Sequence, residues 1–245
     1  MRIHSQMKMI DLISINYEIL IVLQRLKIPF GFKDKNVAMV CEENNVDVNF
    51  FLALSQWFHE RNDFPDELFK GFPPHRLVSY LQETHSYYMS FQIPRLQKDI
   101  EELSNITNFT DQSAQLMTRF FMTYISEFLL HLEMEEKTVF PYILDLEKVV
   151  KEDGDIAKFN KKYQDYSIGK YLVEHTGLEE KAFDLQNILL KYVPPSVNSS
   201  RFTNLILELY KLGEDLKDHT KLEENALVPA VKDLEAALKK ITENK

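Results

Sequence analysis

An eleven-residue pattern that occurs twice constrains the fold of this 245-residue chain more than any other feature. Residues 131–141 read HLEMEEKTVFP and residues 219–229 read HTKLEENALVP, so both copies have His, three residues, Glu-Glu, four residues and Pro. On an α-helix, side chains at positions i and i+4 lie one above the other on the same face. The repeat therefore predicts two helices, each of which directs one imidazole and one carboxylate into the same volume.

A shortage of helix-breaking residues favours long helices. The chain has only 6 Gly and 9 Pro, whereas a sheet protein would show turn residues about every 8–12 positions. Hydrophobic residues make up 44% of the chain, which is enough for a sizeable core. We predict an all-α fold.

The apolar spacing divides the chain into two predicted domains. Residues 1–68 are expected to form a small helical domain, and residues 75–245 an antiparallel up-down four-helix bundle. The stretch 62–74 carries three prolines and a glycine, which is typical of a junction. The helices predicted in the small domain are Ile15–Leu26, Val37–Cys41 and Asp47–Phe58.

Four long segments with apolar stripes account for the predicted bundle. They cover about 75–103, 111–152, 168–192 and 200–241. Because proline cannot donate a backbone hydrogen bond, we expect bends at Pro94, Pro141 and Pro229.

A predicted metal site follows from the repeat. Each copy has a further histidine about 45 residues upstream, His85 before His131 and His175 before His219. Two ionised carboxylates in a dry core are costly unless a cation accompanies them. Imidazole suits Zn, Cu, Fe and Ni, and carboxylates that bridge two metals favour Fe or Mn. The predicted ligands are His85, His131, Glu135, His175, His219 and Glu223.

The other notable side chains are given structural roles. The remaining histidines are expected to be solvated or to cap helix ends: His4, His59 and His75. Three glutamates next to ligands are rotated by about 100° from the ligand face, and we expect them to support the ligands or to face solvent: Glu136, Glu174 and Glu224. Four aromatic residues at helical spacing are expected in the core: Phe120, Phe121, Tyr124 and Phe128.

Charge and cysteine content exclude several classes of protein. A net charge of −9 and a pI near 5.3 leave no basic stripe for nucleic acid. The longest apolar run near the start, Ile19–Leu23, is too short to cross a membrane. The single cysteine, Cys41, excludes an internal disulfide and favours a reducing, cytoplasmic setting.

Three segments resemble the metal-ligand segments of hemerythrin-like (HHE) domains: HLEMEEKTVFP, EHTGLEE and HTKLEENALVP. The stretch INYEILIVLQRLKIPFGFKDKNVAMVCEENNVDV is similar to the N-terminal helical domain of the "repair of iron centres" (ScdA-type) di-iron proteins. The resemblance thus covers nearly the whole chain. Members of that group are cytoplasmic bacterial proteins implicated in restoring iron–sulfur clusters damaged by nitric oxide or oxidants.

The resemblance implies a cofactor and partners. The cofactor would be two iron ions with an oxo or hydroxo bridge, held by the four histidines and two glutamates named above, with Zn or Mn as substitutes. The expected partners are O₂ or NO at the metals and iron–sulfur proteins, with a homodimer as an alternative assembly.

Two departures from the family pattern bear on this function. The family's Cys-Cys pair after the first helix corresponds here to Gly31 and Phe32, so the thiol chemistry of that pair is absent. Relatives often have adjacent histidines where this chain has His85 and Ser86. A shift of one residue would move that ligand by about 100° around its helix.

Three functions therefore stay open. The leading hypothesis is iron-centre repair, by iron donation or by binding and reducing nitric oxide or oxygen species. The alternative is an O₂ or NO sensor or carrier without turnover, which the missing thiol pair favours. A third is a regulator that uses residues 1–68 to bind another protein.

Overall fold

The computed structural model describes residues 2–61, 64–106, 112–152, 154–164, 166–174, 178–192 and 200–243. Within these ranges the chain is helical, and its only β-type pairing is an isolated bridge between Lys8 and Asn36. The all-α prediction is confirmed. Among the helices of these ranges, none combines the length and the apolarity that a membrane span requires.

Five short helices precede the long ones. They are α1 (Met9–Ile15), α2 (Ile19–Arg25), α3 (Val37–Glu43), α4 (Val48–Glu60) and α5 (Asp66–Phe69). The prediction of one helix over Ile15–Leu26 is wrong at its start, because Asn16 interrupts it. The Asn16 side chain accepts the N–H of Glu18 and donates to the carbonyl of Phe58, which closes a turn between α1 and α2.

The long helical segments follow the predicted boundaries within a few residues. They comprise α6 (Pro74–Tyr87), α7 (Ile93–Ile106), α8 (Gln112–Met134), α9 (Phe140–Lys151), α11 (Ile168–Glu174), α12 (Leu178–Tyr192), α13 (Ser200–Leu222) and α14 (Val228–Glu243). An additional helix, α10 (Ile156–Lys162), was not predicted. It begins where the side chain of Asp155 accepts the N–H of Lys158, which satisfies one of the free donors of its first turn.

Within the described residues, three five-residue π-helical turns join long helices in pairs: π1 (Tyr88–Gln92), π2 (Glu135–Val139) and π3 (Glu223–Leu227). Pro94, Pro141 and Pro229 each stand two positions after a π turn ends. A proline lacks the N–H for an α-helical bond, and its ring clashes with the carbonyl four residues earlier. The wider π turn relieves this conflict, so the helical path continues through each predicted bend.

Two apolar cores lie along these paths. In the first core, α7 packs on α8, α8 on α12, α12 on α13 and α13 on α7, which closes a ring of four helices. Its buried side chains include Phe121, Tyr124 and Phe128, as predicted. Phe120 is 43% exposed, so its core prediction is wrong: it follows Arg119 on the outward side of α8.

The second core combines α6, α9 and α14 with the N-terminal helices. Buried residues of α2, α3 and α4 belong to the same apolar cluster as Phe140, Ile143 and Val231 from the long helices. In addition, α2 packs on α6 and α5 packs on π3. The predicted division into domains 1–68 and 75–245 stays a prediction, and the short helices share a core with the long ones.

Candidate metal centre

Four of the six predicted ligands converge between the two cores. His85 comes from α6, His219 from α13, and Glu135 and Glu223 are the first residues of π2 and π3. All four side chains are buried, and one ligand atom from each lies within 4.8 Å of the others. Residues from three helical paths (α6–π1–α7, α8–π2–α9 and α13–π3–α14) thus meet in one small volume.

The distances within this cluster are short. The Nε2 atoms of His85 and His219 are 3.2 Å apart. His85 Nε2 lies 3.3 Å from an oxygen of Glu135, and His219 Nε2 lies 3.1 Å from an oxygen of Glu223. The ring nitrogens therefore face the carboxylates and each other, as ligands of a shared cation would.

His131 joins the cluster through Glu135. Its Nε2 is 3.0 Å from Glu135 Oε1, and its side chain is 10% exposed, so it lies at the edge of the buried site. Both His-x-x-x-Glu pairs are thus in contact, as helical spacing predicts. The predicted ligand His175 and the neighbouring side chain of Glu174 lie outside the residues and side chains that the structure describes.

Glu136 holds the His85 ring through Nδ1, on the side away from the cluster. One oxygen of Glu136 lies 2.9 Å from His85 Nδ1, and the other accepts a hydrogen bond from the Gln82 amide at 2.8 Å. A carboxylate on Nδ1 fixes the ring orientation and leaves Nε2 facing the cluster. Glu224, the equivalent residue of the second repeat, is exposed to solvent. The two glutamates thus take the two different roles that the sequence allowed.

Tyr171 on α11 is a residue of the site that sequence analysis missed. Its buried hydroxyl donates a 2.6 Å hydrogen bond to Glu135 Oε1. Tyr171 stands four positions before His175, the same spacing as within each His-x-x-x-Glu pair. This four-residue spacing could have identified Tyr171 as a residue on the same helix face as a predicted ligand.

The charges of the site are strongly coupled. Burial lowers the pKa of His85, but hydrogen bonds to Glu135 and Glu136 outweigh burial and raise it to about 9. Burial would raise the pKa of Glu135, yet contacts with His131 and His85 hold it well below its usual range. Burial, followed by the negative charges of Glu223 and Glu135, raises the pKa of Tyr171. The buried carboxylates therefore favour positive charge at His85, as they would favour a bound cation.

Two arginines, Arg25 at the end of α2 and Arg61 directly after α4, hold the helix that carries His219. Arg25 pairs with Asp215 and Arg61 pairs with Asp218, and both aspartates belong to α13. The ring of Tyr88, in π1, also packs against the His219 ring at 6.2 Å between centroids. The position of His219 thus depends on residues from outside its own helix.

The remaining histidines have structural positions. His4 is exposed and His59 is half-buried. At the start of α6, the backbone N–H of His75 donates to Glu147, and its Nδ1 lies 3.0 Å from the same carboxylate. His75 is therefore part of the helix start, as expected.

The residues present fit a divalent metal. Buried imidazoles and carboxylates are the donor set that Fe, Zn and Mn accept. The buried carboxylates of Glu135 and Glu223 lie close together, which lowers stability unless positive charge accompanies them. A bound cation would supply that charge.

Comparison with known proteins agrees with this fit. Residues 93–231 match the family model described as Hemerythrin HHE cation binding domain. The match includes both His-x-x-x-Glu pairs, and His85 lies before its first residue. No curated protein matches the chain.

Proposed function

The chain belongs to the hemerythrin HHE cation-binding domain family, and we propose that it holds two iron ions with an oxo or hydroxo bridge. The proposed ligands are His85, His131, Glu135, His175, His219 and Glu223. The surrounding scaffold would be an antiparallel up-down four-helix bundle, which the closed ring of four helices supports. The observation that carries the proposal is the convergence of buried ligand atoms from three helical paths.

Each residue would have a definite task. Glu135 and Glu223 start their π turns within the cluster, and their carboxylates would help to hold the cations. Glu136 would keep the proton on His85 Nδ1 and leave Nε2 free to bind. A pair of irons there would supply an open position for O₂ or NO.

We propose iron–sulfur cluster repair in the response to nitric oxide or oxidants as the cellular role, in the cytoplasm. The resemblance of the N-terminal stretch to ScdA-type proteins supports it. The arginine contacts join the N-terminal region to α13, the helix that carries His219.

A sensor or carrier of O₂ or NO is the second candidate, and one observation favours it. The single cysteine, Cys41, is buried, and burial raises the pKa of its thiol to about 12. Because the thiolate is the reactive form, the raised pKa and the burial disfavour a part for this cysteine in repair chemistry.

Anaerobic iron loading tests the metal site. We expect two irons per chain and a change of the visible spectrum on stopped-flow mixing with NO. Glu135→Ala or Glu223→Ala should remove most of the metal, whereas Glu224→Ala, on the exposed neighbour, should retain it. Near-full retention of two metals in either ligand variant would contradict the assignment, and so would a wild-type protein without iron or NO response.

The same preparation separates the two functions. Reversible formation of an oxygenated spectrum, with the iron retained, favours a carrier or sensor. Transfer of iron to a damaged iron–sulfur protein favours repair.

A further inference from the structure

The hydroxyl of Tyr171 makes a hydrogen bond between α11 and the start of π2. Tyr171 lies on α11 and is 3% exposed, while its acceptor, Glu135, begins π2. The oxygen–oxygen distance is 2.6 Å, in the range of a bond to an ionised acceptor. This bond ties α11 to a carboxylate supplied by π2.

Packing does not explain the hydroxyl. In the first half of the molecule, the position four residues before His85 is Leu81, which is fully buried and apolar. Four residues before His175, the chain has Tyr171 instead. A buried hydroxyl lowers stability unless it is hydrogen-bonded, and here Glu135 Oε1 accepts it at 2.6 Å.

We propose that Tyr171 is a positioning residue of the metal site, whose hydroxyl donates to Glu135 and fixes the orientation of that carboxylate toward the cation. The inference rests on the proposed function. Glu135 Oε1 receives Tyr171 and also contacts His131, whereas Oε2 faces His85. With Oε1 held in this way, the carboxylate has little freedom to rotate, and its orientation is set before a cation arrives.

The helix that carries Tyr171 is itself anchored. The N–H of Ile168, the first residue of α11, donates to Glu235 Oε1 at 2.8 Å. The same oxygen accepts the hydroxyl of Tyr142 at 2.6 Å. Tyr142 is 3% exposed, like Tyr171. It therefore serves as the control: an equally buried tyrosine whose bond to the half-buried Glu235 has the same length and also bears on α11, but not on the ligands.

Co²⁺ titration of the metal-free protein, followed by visible absorption, is the test. Co²⁺ is the probe because its spectrum reports ligand geometry. Tyr171→Phe should weaken Co²⁺ binding by about tenfold or more and should shift the spectrum. Tyr142→Phe should bind Co²⁺ like the wild type.

Circular dichroism melting of the metal-free variants should show that both fold, with similar losses of stability. Tyr171→Leu, which copies position 81, is a second hydroxyl-free variant should the first not fold.

The outcomes separate the two proposals. Unchanged affinity and spectrum in Tyr171→Phe would overturn the role of the hydroxyl while leaving the metal site in place. An equal loss in Tyr142→Phe would also overturn it, because the placement of α11 would then be the cause. A wild-type protein that binds neither Co²⁺ nor Fe²⁺ would overturn the proposed function, and the role of Tyr171 with it.

Discussion

The two His-x-x-x-Glu-Glu repeats have the same local structure and different surroundings. Each begins near the end of a 23-residue helix, each places the first residue of its Glu-Glu pair at the start of a five-residue π turn, and each has a proline two positions after that turn. Their ring-to-carboxylate distances are 3.0 and 3.1 Å. Local sequence therefore determines the orientation of the ligands within each repeat.

The surroundings differ on the outer side of each helix. Asp215, four residues before His219, is paired with the buried Arg25. The equivalent residue of the first repeat, Glu127, pairs with Lys181 at the surface, with about half of each side chain exposed. The helix before the second repeat is thus held at this point by a buried ion pair with the N-terminal helix α2, while the helix before the first repeat carries an exposed pair. This difference shows that the two halves of one site can be anchored unequally.

Removing Arg25 tests the anchored half and should have the largest effect on stability. Arg25→Ala leaves Asp215 without its buried partner, which typically costs about 3–5 kcal/mol. The matched variant Lys181→Ala removes an exposed pair and should cost about 0–1 kcal/mol. Denaturant unfolding of the metal-free proteins measures both. Equal losses would mean that the two halves are supported alike.

Removing the second glutamate of each Glu-Glu pair tests whether the ligands of the two repeats are supported unequally. Glu136→Ala frees the ring of His85 and should weaken metal binding about 10–100-fold, the usual effect of losing a residue that orients a ligand. Glu224→Ala should leave the affinity unchanged, because Glu224 is exposed. Competition titration with a metal chelator gives the two affinities. A comparable loss in Glu224→Ala would show that the second repeat has a similar support.

The thiol of Cys41 reports on the N-terminal helices, one of which holds the helix before the second repeat. With a pKa near 12, about one thiol in 10⁴ is ionised at pH 8. A colorimetric thiol reagent should therefore react slowly with the native protein, about tenfold faster for each unit of pH, and at once after denaturation. Since burial raises this pKa, the thiol's contribution to stability is present below the unfolded pKa of about 8.5. That contribution falls as the pH rises from there toward 12. Fast reaction at pH 8 would show that these helices open readily.

Much of the fold was predictable because it depends on local rules. Apolar periodicity located the long helices, and breakers located their ends. The break at Asn16 and the helix α10 were missed because each depends on one side chain that bonds a nearby backbone group. The π turns were missed for a related reason, since a proline in a helix predicts a conflict but not how the backbone resolves it.

The sequence by itself determined the class of the fold, the helical spacing of His131 with Glu135 and of His219 with Glu223, and the metal-binding chemistry of their side chains. These follow from the geometry of a single helix, which neighbouring residues set. Tertiary structure alone decided that Glu136 supports His85, that Glu224 faces solvent and that Tyr171 reaches Glu135. Such contacts join residues far apart in the chain, so they depend on how helices pack against one another, which no local pattern encodes.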